Sequence, residues 1–474
     1  MFFQAAFFKS VVVLSIVGFI FFVNKYQNGK INWKQADIWL EAGDFTKLRE
    51  WTAWIKEKNV IHGKIWFKAD SLEQIAHRIE LDFTLDEAAV DKLLHKQWGS
   101  VDATEKKKWE EDRLLEYRYI DGEKRYFKRA VSNLKLLLNR GGLITDSLAS
   151  FCLEHTRRVM KATKLNGQPV LPQTFSVEFS LRVNTNAVPN GEEIRCWLPF
   201  PKESHARQTQ VQFVWASEKN YHVSKSANTH RTIYMSARAQ KDRETVFRVR
   251  FKFTTLAQYF QLSNDKLKAY DENSELYKKY TAEQYPHIVF SNRIKKLSDS
   301  IVGNTKIPHE KVRKLYYWID DNIPWAGALE YGTIPCIPQY VLDHKKGDCG
   351  MQTLLFMAMA RYQGVPVKWQ SGWMMHPRNI NLHDWCEVYY QGVGWVPLDN
   401  SFGLQNTDNT QLKDFYISGM DAYRLIINDG IGAALEPAKK YLRSEPWDFQ
   451  RGEVEWAGGN LYFDQWNYSM QVLN

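Results

Sequence analysis

The sequence has few cysteines, and they follow none of the patterns that bind metal or build a disulfide framework. Five cysteines are spread over 474 residues, without a CxxC pair and without histidines at zinc-ligand spacing. Internal repeats, low-complexity tracts and nucleic-acid-binding motifs are also missing. We therefore predict no metal, no cofactor and no nucleic-acid partner. The formal charge of +9 comes mostly from basic residues interleaved with acidic ones, which is typical of solvated helical faces.

Long hydrophobic runs are scarce too, apart from one near the amino terminus. The stretch 9–25 holds fourteen apolar or small residues between Lys9 and Asn24. That is the core length of a signal peptide and falls short of the roughly 20 residues of a spanning helix. No small-x-small cleavage site follows Val23. We predict that residues 1–28 are a signal peptide or a single signal anchor. The expected location is extracytoplasmic: secreted, periplasmic or membrane-anchored in the cell envelope.

What is abundant is apolar and aromatic sequence, at 44% and 14%, which is enough for several cores. Residues 29–166 show helical spacing and predict an α-helical accessory domain. Near Pro169 the apolar period changes from 3.6 to 2, and 167–262 predict a β-sandwich. Residues 263–474 mix both periods and predict an α+β domain of papain-like or transglutaminase-like type, with a β-hairpin extension at 447–468 that adds to its sheet or lines its cleft. The fold class is multidomain.

The chemistry of the sequence centres on "HKKGDCGMQTLLF", residues 344–356. Asp348 is a good N-cap residue, and the apolar spacing that follows predicts a helix ending before Gly364. Cys349 then lies on the first helical turn, where free amides and the helix dipole lower a thiol pKa. A buried structural cysteine is the alternative interpretation.

A hairpin thirty-four residues further on adds a histidine and a carboxylate. In "NLHDWCEVYYQGVGWVPLDNSFG" (381–403) we predict a three-residue turn with Gly392 in a left-handed conformation. Pairing Tyr389 with Val393 places His383 directly opposite Asp399, on the same face of the sheet. An aspartate that orients a histidine supports a cysteine nucleophile.

Three ordered blocks of sequence carry a family resemblance: "KGDCGMQTLLFMAMARYQGVPVKW", "HDWCEVY" and "GVGWVPLDNS". They cover roughly residues 308–403 and resemble the transglutaminase-like superfamily. The resemblance implies that Cys349 is the nucleophile, His383 the general base and acid, and Asp399 the residue that orients the histidine. Gly350 follows the cysteine, which resembles the peptide N-glycanase and bacterial peptidase branches. Many transglutaminases have tryptophan at this position. We take Trp325 as the candidate oxyanion donor, through its indole N–H.

The predicted function is cleavage or transfer of an amide of the peptide, isopeptide or glutamine type through a Cys349 acyl-enzyme, with a protein, peptide or cell-wall peptide as substrate. Two alternatives stay open. One is a protein-crosslinking transglutaminase, and the other is a non-catalytic envelope module that binds peptide or glycan. The sequence does not identify the substrate or the oligomeric state.

Overall fold

The computed structural model describes residues 31–59, 63–139, 145–203 and 205–473. The predicted leader, residues 1–28, lies outside these ranges. Within them, no helix combines the length and the apolar character that crossing a bilayer requires. The described residues of 1–80 together with 118–125 form one compact unit, and those of 81–117 together with 126–474 form a second.

Helices occur in both units and vary widely in length. In chain order they are α1 Trp33–Ala42, α2 Phe45–Lys58, α3 Lys64–Asp82, α4 Glu87–Trp98, α5 Ala103–Glu111, α6 Ala130–Leu138, α7 Asp146–Ala162, α8 Glu275–Thr281, α9 Asn292–Val302, α10 Pro308–Asn322, α11 Ile337–His344, α12 Cys349–Tyr362, α13 Thr410–Lys413 and α14 Phe415–Ser418.

The strands fall into one hairpin and three larger sheets. In chain order they are β1 Tyr117–Ile120, β2 Glu123–Tyr126, β3 Val170–Val183, β4 Glu193–Pro199, β5 Gln208–Ala216, β6 Tyr221–Val223, β7 Thr232–Arg238, β8 Thr245–Tyr259, β9 Val367–His376, β10 Asn379–Tyr390, β11 Gly394–Leu398, β12 Gly419–Met420, β13 Arg424–Asn428, β14 Glu453–Trp456, β15 Gly459–Leu461 and β16 Trp466–Leu473.

The first unit combines helices with a short hairpin that the helical prediction for this region did not include. Strands β1 and β2 form a two-stranded sheet, and the hairpin residue Asp121 accepts hydrogen bonds from the backbone N–H and the hydroxyl of Thr46. Thr46 lies in the first turn of α2, so this carboxylate satisfies an amide that has no partner within the helix.

Two five-stranded sheets form the β-rich part of the second unit. Their orders are β12-β8-β3-β16, with β5 also on β8, and β15-β14-β4-β7-β6. Side chains of both sheets share one hydrophobic core, to which Phe179, Trp197 and Phe251 contribute. Trp373 of β9 and Leu425 of β13 belong to the same core, so the predicted sandwich and the sheet of the catalytic region pack as one body.

The carboxyl-terminal segment forms the predicted hairpin, but the expectation that it adds to the catalytic sheet is wrong. Strand β14 pairs with β15 through Val454 and Leu461, and it also pairs with β4 through Glu453 and Trp197. Strand β16 pairs with β3 along its whole length. The physical reason is the open edges of β3 and β4, whose unpaired backbone groups these strands satisfy.

The last part of the second unit holds a separate four-stranded antiparallel sheet in the order β11-β10-β9-β13. Helix α12 packs against β10 and β9 on one side and against α9, α10 and α11 on others. All of its residues from Cys349 to Arg361 are buried, whereas the sequence had suggested a single apolar stripe. A helix that is enclosed on every side forms the centre of its domain.

The β10–β11 hairpin differs from its predicted register by two residues. Tyr390 pairs with Gly394, and Cys386 pairs with Leu398, so the loop is Gln391–Val393. Gly392 has the predicted left-handed conformation, with φ of 91°, and Gly394 has a positive φ as well. A shift of two residues keeps every side chain on the same face of the sheet. The predicted pairing is therefore wrong, but the prediction that His383 and Asp399 lie on one face is correct.

Candidate active site

Helix α12 begins at the predicted nucleophile. The side chain of Asp348 accepts a hydrogen bond from the Met351 amide at 3.1 Å, which confirms Asp348 as the N-cap. Cys349 is buried, with 8% of its surface exposed, and lines a cavity of about 220 Å³. Trp325 and Tyr331 line the same cavity. The thiol therefore faces a small enclosed space at the start of a helix.

The hydrogen-bond partner of the thiol is a residue that the sequence analysis overlooked. Cys349 Sγ donates to Asp384 Oδ2 at 3.5 Å. The other oxygen of Asp384 accepts from Gln450 Nε2 at 2.9 Å. Gln450 also donates to the backbone oxygens of His383 and Gly372, which holds the carboxylate against the backbone of β9 and β10.

The predicted histidine and aspartate are in direct contact. His383 Nε2 lies 2.7 Å from Asp399 Oδ2, and both residues are fully buried. Arg424 Nη1 donates to the same oxygen at 2.7 Å, and its Nη2 donates to Asp421 at 2.7 Å. The Ser401 amide donates to the second Asp399 oxygen at 3.0 Å. This network fixes the carboxylate, and the carboxylate in turn fixes the imidazole.

The remaining imidazole nitrogen is buried and unpaired. His383 Nδ1 has no hydrogen-bond partner, and the described structure contains no hydrogen bond between His383 and Cys349. His383 and Asp384 are consecutive in β10, so their side chains point to opposite faces of the strand. The structure thus brings His383 and Asp399 together, while Cys349 contacts the neighbour of the histidine.

Burial and charge decide the protonation of these groups. Burial, followed by the charges of Asp384 and Asp348, raises the pKa of the Cys349 thiol well above its usual value. The expectation of a lowered thiol pKa is therefore wrong for this arrangement, because burial and the charges of two carboxylates outweigh the helix dipole. Burial lowers the pKa of His383, so the ring is neutral near pH 7. Burial opposes ionisation of Asp399, yet His383 and Arg424 hold its pKa below the usual value.

The candidate oxyanion donor lies at the cavity. Trp325 lines it, and its backbone forms a parallel bridge with Gly347, two residues before the nucleophile. The Trp325 Nε1 atom is buried and has no hydrogen-bond partner. An indole N–H in that state is free to donate to a substrate oxygen, and the role of Trp325 stays a prediction.

Three other residues of the β10–β11 hairpin are packed against aromatic rings or buried. The Trp385 ring stacks on His383 with centroids 5.8 Å apart, as a wall beneath the histidine. Trp395 packs against Tyr280 and Tyr389, outside the group around His383. Cys386 is fully buried.

Part of the cavity wall comes from the carboxyl-terminal extension at 447–468, for which lining the cleft was one of the two predicted positions. Besides the loop 325–332, the lining includes Glu445, Asp448, Gln450 and Arg451 from the stretch between β13 and β14. These residues are about a hundred positions from the nucleophile, and only the folded chain places them there. Asp384, by contrast, stands beside His383 in the motif and was visible in the sequence. Among the described residues, no group of three or more His, Cys, Asp or Glu side chains has the geometry of a metal site.

Comparison with known proteins agrees with the three sequence blocks. Residues 295–400 match the model of the transglutaminase-like superfamily. The chain is 22% identical over 196 residues to the uncharacterized protein YebA of Bacillus subtilis (strain 168), covering 35% of this chain and 26% of YebA. The chain therefore spans well under two thirds of that relative.

Two solved structures are similar to this chain at low identity and low TM-score. A proposed cysteine protease from Cytophaga hutchinsonii has 12% identity and a TM-score of 0.41, with 65% of this chain and 92% of that chain covered. The periplasmic domain of TgpA from Pseudomonas aeruginosa has 11% identity and a TM-score of 0.25, with 51% and 94% covered.

Proposed function

We propose that this protein is a cysteine enzyme that cleaves an amide by acyl transfer to Cys349. The observation that carries the proposal is the buried hydrogen bond between His383 and Asp399, which leaves His383 Nδ1 without a partner. Both residues lie, with Cys349, in the segment that matches the transglutaminase-like model. A nucleophile, a base and an orienting carboxylate are the groups that acyl transfer requires.

The proposed reaction has two steps. Cys349 Sγ leaves Asp384, gives its proton to His383 Nδ1 and attacks the amide carbon, forming a thioester as the C–N bond breaks. The imidazolium, held by Asp399, returns the proton to the leaving amine. Water then attacks the thioester, loses a proton to His383 and restores the thiol. Trp325 Nε1 and the Cys349 amide are the proposed donors to the oxyanion.

Water is the preferred acceptor in this proposal, which makes the enzyme a peptidase or amidase that acts on a protein, peptide or cell-wall peptide. The proposed location is extracytoplasmic, on the basis of the apolar run at 9–25. An amine in place of water would give the transglutaminase alternative, with an identical first step.

Product analysis on a peptide library tests the proposal. The full chain should release new amino and carboxyl termini, and Cys349→Ser and His383→Ala should each abolish their release. Cys336→Ser is the matched control, because Cys336 is a half-buried cysteine outside the cavity and its loss should leave turnover unchanged. Added primary amine that appears in the product would indicate transamidation instead. Equal product with Cys349→Ser would overturn the nucleophile assignment.

One observation favours a second candidate, a non-catalytic module that binds peptide or glycan. The thiol is hydrogen-bonded to Asp384 and not to His383, and its raised pKa opposes thiolate formation. For this candidate, a library peptide should bind the wild-type protein and Cys349→Ser with equal affinity, and neither protein should change the peptide on prolonged incubation.

A further inference from the structure

The cavity beside Cys349 has an excess of negative charge. Five carboxylate side chains line it: Glu330, Asp348, Asp384, Glu445 and Asp448. Two cationic side chains, Arg129 and Arg451, line it as well. A small cavity with this imbalance selects for positively charged ligands.

Three of the five carboxylates are satisfied within the protein. Arg451 donates through Nη1 and Nη2 to both oxygens of Glu330, at 3.0 and 2.7 Å, and its Nε donates to Glu445. Asp348 accepts from the Met351 amide and from the Tyr331 hydroxyl. The Arg451 guanidinium thus binds two glutamates, and Asp348 caps the start of α12.

The other two carboxylates have no cation. Asp384 is 2% exposed and accepts hydrogen bonds from Gln450 and Cys349, but it takes part in no ion pair among the described residues. Asp448 is 7% exposed, and in the same part of the chain its carboxylate accepts no hydrogen bond and no ion pair. Only its backbone oxygen is used, by Ser371 and Asn428. Arg129 is exposed and pairs with neither of them.

Burying a carboxylate without a cation destabilises the fold, and a ligand that supplies the cation removes this destabilisation when it binds. Burial and the charge of Asp448 raise the pKa of Asp384, and burial and Glu445 raise the pKa of Asp448. The charge of Asp448 therefore acts on Asp384. Asp384 touches the sulfur atom, so a cation held there is close to the amide under attack.

We propose that Asp384 and Asp448 form a subsite for a primary ammonium group of the substrate, beside Cys349. The inference rests on the proposed function for its link to catalysis, and it names the substrate class: a peptide with a primary ammonium on a residue that flanks the scissile amide. The three N–H donors of an ammonium, together with its positive charge, suit two carboxylates that lack a cation. Contact with Asp384 also removes a hydrogen-bond acceptor from the Cys349 thiol.

Charged thiol reagents measure this subsite without knowledge of the natural substrate. The full chain is treated with 2-aminoethyl methanethiosulfonate, which is cationic, and with methyl methanethiosulfonate, which is neutral, and the rate at Cys349 is followed by peptide mass spectrometry. The preference is the rate with the cationic reagent divided by the rate with the neutral one. At Cys349 this preference should be about tenfold higher than for free cysteine. Asp448→Asn should remove most of that preference. Asp408→Asn, which neutralises an exposed carboxylate outside the cavity, is the matched control and should keep it.

The rate ratio separates this inference from the proposed function. His383→Ala slows both reagents equally if His383 activates the thiol, and it leaves the ratio unchanged. Loss of turnover thus tests the triad, whereas the ratio tests the subsite. Equal preference in the wild-type protein and in Asp448→Asn overturns the subsite and leaves the triad standing.

A binding measurement decides the matter if Cys349 reacts with neither reagent. Nα-acetyl-lysine amide, which carries an ammonium, should raise the thermal midpoint of Cys349→Ser, whereas Nα-acetyl-norleucine amide, which lacks the ammonium, should not. The difference between the two probes should vanish when Asp448→Asn is added. No difference in Cys349→Ser itself overturns the proposal.

Discussion

At the scale of single residues, the protonation of Cys349 depends on the carboxylate it touches. A cysteine at a helix start normally gains acidity from the free amides there. Here Asp384 lies at hydrogen-bond distance from the sulfur in a buried site, where charges are weakly screened. The position of Cys349 in the helix and the position of Asp384 in the strand therefore act on the thiol in opposite directions.

Replacing that carboxylate should make the thiol more reactive. Asp384→Asn keeps the shape and an acceptor oxygen but removes the charge, so the thiol pKa should fall. The pH profile of iodoacetamide alkylation at Cys349 should move to lower pH, with a gain of about tenfold near pH 7 for each unit of change. Asp408→Asn should leave the profile in place. If Asp384→Asn and the wild-type protein share one profile, the carboxylate does not control the thiol.

At the scale of elements, the spacing between β9 and β13 positions the Asp399 clamp. Gly372 of β9 pairs with His383 of β10 on one side and with Ile426 of β13 on the other. A Cβ atom at residue 372 would lie 1.9 Å from the Leu425 backbone oxygen. The close approach of the two strands thus needs a glycine, and it holds Arg424 at the distance that Asp399 requires.

Gly372→Ala should separate these strands. Overpacking of this kind lowers the free energy of unfolding by about 1–3 kcal/mol. The atom that the new methyl group meets belongs to the backbone, so it cannot move aside by a change of rotamer. Urea denaturation should show a lower free energy of unfolding for this variant than for Gly191→Ala. Gly191 is the control because its left-handed φ of 85° strains an alanine while no atom lies within 4 Å of the added Cβ. Equal costs for the two variants would contradict a close contact at residue 372.

At the scale of the whole chain, the last strands complete sheets that begin almost three hundred residues earlier. Strand β16 covers the edge of β3, and β14 covers the edge of β4. Trp466, the first residue of β16, is 2% exposed, and its indole N–H donates to the Leu461 backbone oxygen at 3.0 Å. The same terminal region supplies Tyr468 to the cavity beside Cys349.

Trp466→Ala should therefore destabilise the second unit as strongly as a central core substitution. The loss of a buried tryptophan costs about 3–5 kcal/mol. Val472→Ala, in the same strand at a more exposed position, should change the free energy of unfolding by no more than about 0.5 kcal/mol. Both values come from chemical denaturation of the full chain. Similar small effects for both variants would mean that β16 is dispensable for the fold.

The sequence by itself determined the local features of the site. Capping and apolar spacing placed Asp348 and Cys349 at the start of α12, and the period of two kept His383 and Asp399 on one face in spite of an incorrect register. Local rules are less exact at α4: Thr84 and Glu87 have the spacing of a capping box, but Asp86 is the N-cap in the structure. Such features depend on neighbours in the chain, so a sequence pattern contains them.

Only the tertiary structure decided which groups meet across the site. The hydrogen bond from Cys349 to Asp384 and the ion pair of Arg424 with Asp399 join positions that lie dozens of residues apart. The burial of Asp448 beside Cys349 likewise brings together distant parts of the chain. Burial sets the direction in which the pKa of each of these groups moves, and burial is a property of the packed chain. The sheet positions of β14 and β16 depend on open edges of β3 and β4, which exist only once those strands have paired.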